Sequence, residues 1–376
     1  MSSNMNQASS TKTNHAQSLL TFIVTFALCL LLAGCNVNIS TPSTTSPGGI
    51  GIGSSSGSNS CQSNCIVGSG VHGVRVFVEP DAGEQPIINA IDSAHNSVWV
   101  EMYLLSDRNV IRALEDAANR SLDVRVMLEP HPVGGSPPAR TIDQLTAAGA
   151  KAQETDPAFT LTHEKGMIID GTTAYIMTSN FTRSALGGYG SGSSYQDNRE
   201  YDIVDTNPQD VQAVITIFNA DWNRTTAQFN DPNLVVSPVN SRSDFTSLIN
   251  SAHHTLLIEA EEMQDSSIEQ AIVSAAQRGV QIQVILPAPS GSSGDSNSQG
   301  IDNIKQGGIQ VREDPRLYMH AKIIVVDGHE AFVGSENISS QSLDQNRELG
   351  IIVSDPDVLN TLERTFQGDW GDSQSV

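Results

Sequence analysis

The segments His163-Glu-Lys165-Gly-Met-Ile-Ile-Asp170 and His320-Ala-Lys322-Ile-Ile-Val-Val-Asp327 carry the same chemistry at the same spacing. In each, a Lys follows the His by two residues, an Asp by seven, and an Asn (Asn180 or Asn337) by seventeen. Asn-Arg-Glu triplets come next, Asn198-Arg199-Glu200 and Asn346-Arg347-Glu348. One His-x-Lys alone would be a surface or core pair; two with matching downstream residues are a duplicated half-site. Two imidazoles and two ammonium groups around one cavity suit a phosphodiester. One neutral His attacks phosphorus while the other, protonated, supplies the leaving oxygen with its proton. Lys165, Lys322, Asn180 and Asn337 bind the non-bridging oxygens and the charge that develops on them. The two lysines supply the positive charge, so neither a metal nor another cofactor is expected. A nucleophilic His also needs its second ring nitrogen fixed as a donor, usually by a carboxylate, and Glu200 and Glu348 are the candidates. They follow Asn180 and Asn337 by twenty and eleven residues. A Gly/Ser-rich insertion, Gly187 to Tyr195, accounts for the difference and is expected as a loop at the mouth of the site. His72, His95, His131, His253, His254 and His329 lack such paired context and are expected to be surface or structural.

Matching strings of elements are needed to place these residues. In the first half, strands at Val74–Val78, Ser97–Tyr103 and Asp123–Leu128 alternate with helices at Pro86–Ala94, Asn109–Arg120 and Thr141–Ala148. The second half repeats the order: strands Leu234–Val236, Thr255–Glu259 and Gln281–Leu286, with helices Ser243–Ala252, Ser266–Arg278 and Ile301–Gln306. Glu101 and Glu259 stand at equivalent strand ends, each followed six residues later by an Asp, Asp107 or Asp265. Alternating strands and helices imply mixed sheets covered on both faces. Asp170-Gly171 and Asp327-Gly328, between apolar runs, predict two-residue hairpin turns, so both Asp residues are read as turn formers outside the site. Residues two apart on a strand share a side, so each His faces the cavity with its Lys while Glu164 faces away. A pseudo-twofold axis between the halves would gather all four side chains.

With 20 basic and 42 acidic residues the net charge is -22. Such a balance argues against nucleic acid or anionic membrane as a partner of the whole surface, and for solubility. Residues 1–35 read as a targeting segment: Lys12 precedes an apolar run, Leu19 to Leu32, too short to span a bilayer comfortably. The run ends in Leu32-Ala33-Gly34-Cys35, similar to a bacterial lipobox, in which Cys35 is lipidated and anchors an extracytoplasmic protein to a membrane. Residues 36–70, rich in Ser, Thr and Gly, read as a flexible tether. Cys61 and Cys65 then remain as a pair closing a small loop, read as a disulfide rather than a zinc site, for which no further Cys or His lies nearby. The catalytic body divides into lobes at 71–228 and 229–376.

The paired motifs resemble the phospholipase D superfamily, whose pattern is His-x-Lys-x4-Asp followed by Gly-Ser-x-Asn. The second copy matches in full with Gly334, Ser335 and Asn337; the first has Met177 for Gly and Thr178 for Ser. The resemblance covers nearly everything after Val71. It implies a bilobed α/β fold of two α/β/α lobes, with mixed sheets flanked by helices and related by a pseudo-twofold axis. It also implies a phosphohistidine intermediate with His163 as nucleophile and His320 as acid and base, and substrate contacts from Thr178 and Ser335. The residues alone leave the order of the two histidines open. A phospholipid headgroup bond is the expected target, hydrolysed or transferred to an alcohol. The alternatives are an extracytoplasmic endonuclease with a locally basic groove (Lys165, Lys322, Arg183, Arg199, Arg347) and a non-catalytic binder of phosphate ligands. A monomer suffices for the site, because the duplication is internal.

Overall fold

The computed structural model describes residues 73–189, 195–289 and 295–376. The targeting segment, Cys35, the tether, the Cys61–Cys65 pair and the centres of the Gly187–Tyr195 and Pro287–Gln299 loops lie outside the described residues.

The first lobe runs β1 (Val74–Glu79), α1 (Gln85–Ser93), β2 (Ser97–Met102), α2 (Arg108–Asn119), β3 (Asp123–Leu128), α3 (Ala139–Ala147), β4 (Lys151–Glu154), β5 (Lys165–Ile169), β6 (Thr173–Met177), β7 (Asn198–Asp205) and α4 (Pro208–Trp222). The second begins β8 (Leu234–Ser237), α5 (Ser241–Ser251), β9 (Thr255–Ala260), β10 (Met263–Gln264), α6 (Ser266–Gln277), β11 (Gln281–Pro287), α7 (Ser298–Lys305) and β12 (Gln310–Asp314). It continues β13 (Tyr318–Met319), β14 (Lys322–Val326), β15 (Glu330–Gly334), β16 (Ile338–Ser339), α8 (Ser340–Asp344), β17 (Glu348–Val353), α9 (Pro356–Asp372) and β18 (Gln374–Ser375). One sheet has the order β1-β7-β6-β5-β2-β3-β4, the other β8-β17-β15-β14-β9-β11-β12-β18. Position by position these are the same sheet. β2, β3 and β4 run parallel, as do β9, β11 and β12; the hairpin strands beside them run antiparallel. Two mixed sheets flanked by helices are therefore the fold.

Three apolar clusters hold it together. Helices α1 to α3 bury Ile87, Ile91, Leu114 and Leu145 against one face of the first sheet, and α5 to α7 bury Phe245, Ile272 and Ile304 against the second. The third cluster lies between the sheets: Ile176 and Ile203 of one and Val333 and Leu349 of the other share it with Ile217 of α4 and Leu362 of α9. Each buried aliphatic contributes roughly 1.5–3 kcal/mol, so the lobes are welded through a common core. α4 and α9 are the main elements the strand-helix reading passed over. Their starts are written in Asn207-Pro208 and Asp355-Pro356, where the Asn or Asp side chain accepts from the first turn and Pro occupies a position that needs no N–H.

The Asp-Gly turns form as expected, with left-handed φ at Asp170 and Gly171 (54° and 67°) and at Asp327 and Gly328 (53° and 66°). The two Asp residues also do more than turn the chain. Asp170 accepts from the backbone N–H groups of His95, Asn96 and Ser97, and Asp327 from those of His253, His254 and Thr255. Each carboxylate ties the entry of the central strand, β2 or β9, to the hairpin that carries the His-x-Lys. Burial works against their charge, but the three N–H bonds outweigh it and hold both below the ordinary Asp value. Asp107 and Asp265, six residues after the paired Glu, are the N-caps of α2 and α6.

Candidate active site

His163 and His320 sit just ahead of β5 and β14 rather than on them. The strand that aligns each one belongs to the other lobe. The flank of the first motif crosses over, with Thr162 bridged to Arg347 and the His163 and Glu164 N–H groups donating to the Arg347 carbonyl. The flank of the second, β13, pairs with Asn198 and Arg199 of β7. This exchange decides which carboxylate meets which ring. Nδ1 of His163 lies 3.0 Å from Glu348, and Nδ1 of His320 lies 2.8 Å from Glu200. Both Glu residues stand behind the rings, each supplied by the opposite lobe.

Each carboxylate is itself held. Glu200 accepts from Thr178 Oγ1 at 2.7 Å and from Asn198 Nδ2 at 2.9 Å. Glu348 accepts from Ser342 Oγ at 2.7 Å and Asn346 Nδ2 at 3.1 Å. The Asn of each triplet thus fixes the Glu two residues on. Thr178 is fully buried, and its hydroxyl also accepts from the Tyr201 N–H; Ser335 is fully buried, with Oγ accepting from the Leu349 N–H. These hydroxyls brace the site from behind, which corrects their expected role as substrate contacts. Met177 in place of glycine also has a reason. Gly334 faces Gly350 across the ladder and Glu336 reaches over both, whereas Met177 faces Asp202, whose carboxylate is bound by Thr178 and Ser179. Each lobe keeps one carboxyl there and brings it from a different residue.

Both imidazoles line one cavity of about 520 Å³, with Tyr103, Asn180, Glu261 and Glu262. Lys165 and Lys322 lie beneath it, almost fully buried, each donating to the carbonyl of its own His. Asn180 and Asn337 are buried, and their side-chain carbonyl oxygens have no partner among the described residues. Burial pushes His163 below its ordinary value against the pull of Glu348, and the Lys165 and Lys322 charges push the same way. A neutral, tethered imidazole is what a nucleophile requires. Burial, and then the Lys322 ammonium, bring Lys165 down to about 7. Burial alone would raise Glu348, but the His163 ring it binds outweighs that and keeps it ionised.

Arg199 and Arg347 do not line a groove. They are buried cross-lobe ties, Arg199 to Asp369 of α9 with bonds of 2.6 and 2.8 Å, and Arg347 to Asp221 of α4 with one hydrogen bond of 3.0 Å and an ion-pair contact of 2.8 Å. Glu164 faces away from the cavity, toward Glu101 and Asp221, and the oxygens of these three lie within 4.8 Å of one another. Burial raises all three, Glu164 to about 8 and Asp221 to about 6, and Arg347 already occupies Asp221. The cluster is therefore balanced by shared protons and a guanidinium. Of the surroundings of the cavity, sequence reasoning named only Arg183. A groove of about 1100 Å³ opens from it, sharing Tyr103, Asn180 and His320, and is lined by Arg108, Arg112, Arg140 and Arg183. None of these four arginines has a carboxylate partner among the described residues. Val133, which lines the histidine cavity, is 76% exposed, and Tyr195, 67% exposed, stacks on Tyr189 of the groove.

The chain matches the family described as "Cardiolipin synthase, PLD-like domain" twice, over residues 87–222 and 245–370. Phospholipase D Z of Dictyostelium discoideum is 37% identical over 27% of this chain and 25% of its own length. Cardiolipin synthase B of Shigella flexneri is 25% identical over 76% of this chain and 78% of its own length. Over the first two curated relatives the match spans between a quarter and half of their lengths. A solved phosphatidylserine synthase from Haemophilus influenzae Rd KW20 shares the fold with a TM-score of 0.61 at 14% identity, covering 83% of this chain and 90% of that one.

Proposed function

The chain belongs to the phospholipase D-like family that its two halves match, and from that premise we propose that it cleaves or transfers the headgroup of a phospholipid. The observation that carries the reading is the pair of histidines on one cavity, each with a carboxylate from the opposite lobe on Nδ1. Nε2 of His163 attacks phosphorus and the bond to the leaving oxygen breaks, while His320 gives that oxygen its proton. His320 then takes a proton from water or an alcohol, whose oxygen attacks phosphorus and releases His163. The lysine and asparagine amino groups bind the equatorial oxygens in both steps. The arginine-lined groove, the exposed Val133 of the cavity and the exposed Tyr195 stacked on the groove's Tyr189 support a substrate with an anionic head at an apolar boundary. A Cys35 lipid anchor on an extracytoplasmic tether would hold the enzyme beside that substrate. Incorporation of labelled palmitate in cells, abolished in Cys35→Ser, is expected; equal labelling of the variant would remove the anchor.

The assay offers three substrates to the mature protein: vesicles of mixed phosphatidylcholine and phosphatidylglycerol, single-stranded DNA, and a bis-aryl phosphodiester. His163→Ala serves as the control. Headgroup release that the variant lacks is the expected result. DNA cleavage without headgroup release would make the protein a nuclease, and no turnover of any of the three would make it a binding protein.

A further inference from the structure

The two half-sites differ at one position that the duplication should have made equal. Met102 pairs with Lys165 and Ala260 with Lys322, so the next residues, Tyr103 and Glu261, are equivalent. Tyr103 sets its ring edge against His163 at 4.5 Å, and the Lys165 ammonium lies 5.2 Å from the same ring centre. Glu261 instead places a carboxylate into the second half-site. Its Oε2 accepts from Lys322 Nζ at 2.8 Å and Asn337 Nδ2 at 3.2 Å, and lies 3.4 Å from His320 Nε2. Tyr318 holds the other oxygen at 3.2 Å. The Lys, Asn and His atoms that would bind a phosphate oxygen are thus already gathered around a carboxylate oxygen. In the first half-site, by contrast, the Asn180 side chain has no hydrogen-bond partner among the described residues.

We propose that Glu261 is a built-in counter-anion of the second half-site, occupying the phosphate-oxygen position made by His320, Lys322 and Asn337 until a substrate phosphate displaces it. Burial opposes its charge, but His320 and Lys322 outweigh this and hold Glu261 well below the ordinary Glu value, so it is ionised while it sits there. Two anions cannot share one set of donors at close range, since like charges in a partly buried site repel strongly. The phosphate therefore enters against the open half-site of His163, Lys165 and Asn180, and closes onto His320 only as Glu261 withdraws. The same carboxylate, returning, expels the product anion. Glu261 acts through the donors of the site, so it is a positioning residue. The proposal rests on the cavity being a site for phosphate groups, and not on their turnover or on the phosphodiester being a lipid.

The test is direct binding of inorganic phosphate and orthovanadate to the wild type, Glu261→Gln and Glu261→Tyr, by calorimetry, with thermal melting as a control. Removing the competing charge should tighten both anions at least tenfold in each variant. For the bis-aryl diester, KM should fall in Glu261→Gln while kcat does not rise, because product leaves more slowly. A merely structural role would weaken binding, never strengthen it. The Tyr variant copies the first half-site, and serves if the Gln variant fails to fold. Unchanged or weaker anion binding in whichever variant folds overturns the role of Glu261 and leaves the phosphodiesterase reading standing. Tightened binding without turnover of any phosphodiester would sink that reading and leave the counter-anion standing. No anion binding by any of the three proteins would sink both.

Discussion

The first half-site is lined by an aromatic ring and is open, whereas the second is lined by a carboxylate and is filled. Both have the same His, Lys, Asn and remote Glu, so the difference lies in what surrounds a common machine. The first joins a neutral, buried imidazole to a lysine brought down to about 7 and an Asn side chain with no partner among the described residues. The second surrounds its imidazole with two carboxylates, Glu200 at Nδ1 and Glu261 near Nε2. The two sites share their core groups and differ in the residues at their margins, Tyr103 against Glu261.

The largest effects should come from the histidines. Alanine at either His163 or His320 is expected to lower headgroup release about 10⁴-fold. The two are separated by a bis-aryl diester, whose leaving group needs no proton. Mixed with it, His320→Ala should accumulate a phosphorylated protein, and His163→Ala should not. A phosphoprotein in the second variant and none in the first would reverse the assignment of the halves.

Next come the cross-lobe ties. Arg347→Ala leaves Asp221 buried without its partner, which costs about 3–5 kcal/mol of stability, and Arg199→Ala does the same to Asp369. Chemical denaturation should show comparable losses for both, since each arginine is buried and ion-paired to a buried Asp of the opposite lobe. A loss under 1 kcal/mol for either would mean that its lobe holds without the tie.

The smallest effect is on the pH profile of kcat/KM. His163 must be neutral, so activity is lost as pH falls through its value, which lies below the ordinary His value of about 6.5. Lys165 must be charged, so activity is lost as pH rises through about 7. A narrow bell follows. Lys165→Met should remove the alkaline fall from the residual activity, while Lys322→Met should retain it. An alkaline limb that survives in Lys165→Met assigns it to another group.

Much was legible before any coordinates. Strand Asp123–Leu128 and the Asp-Gly hairpins are where periodicity and turn chemistry put them, because those signals are local. The equal spacing of His, Lys, Asn and Glu in two copies named the chemical groups, because duplication preserves sequence order. Other readings were out of reach for the same reason. That Arg199 and Arg347 are buried ties depends on α9 and α4 packing beside the opposite lobe, 170 and 126 residues away in sequence. That Thr178 holds the Glu200 carboxylate, and Ser335 the Leu349 backbone N–H, depends on which way a strand end faces once both sheets close.

The twin His-x-Lys segments, read as sequence, determined the family of groups and the two-lobed plan, since both follow from residue type and period. Only the tertiary structure decided that Glu348 serves His163 and Glu200 serves His320. The crossover of each motif's flank onto the other lobe makes that choice, and it is a long-range backbone pairing with no local mark. The role of Glu261 is decided in the same way. Strand alternation could have aligned it with Tyr103, but a carboxylate becomes a counter-anion only where His320, Lys322 and Asn337 converge in space.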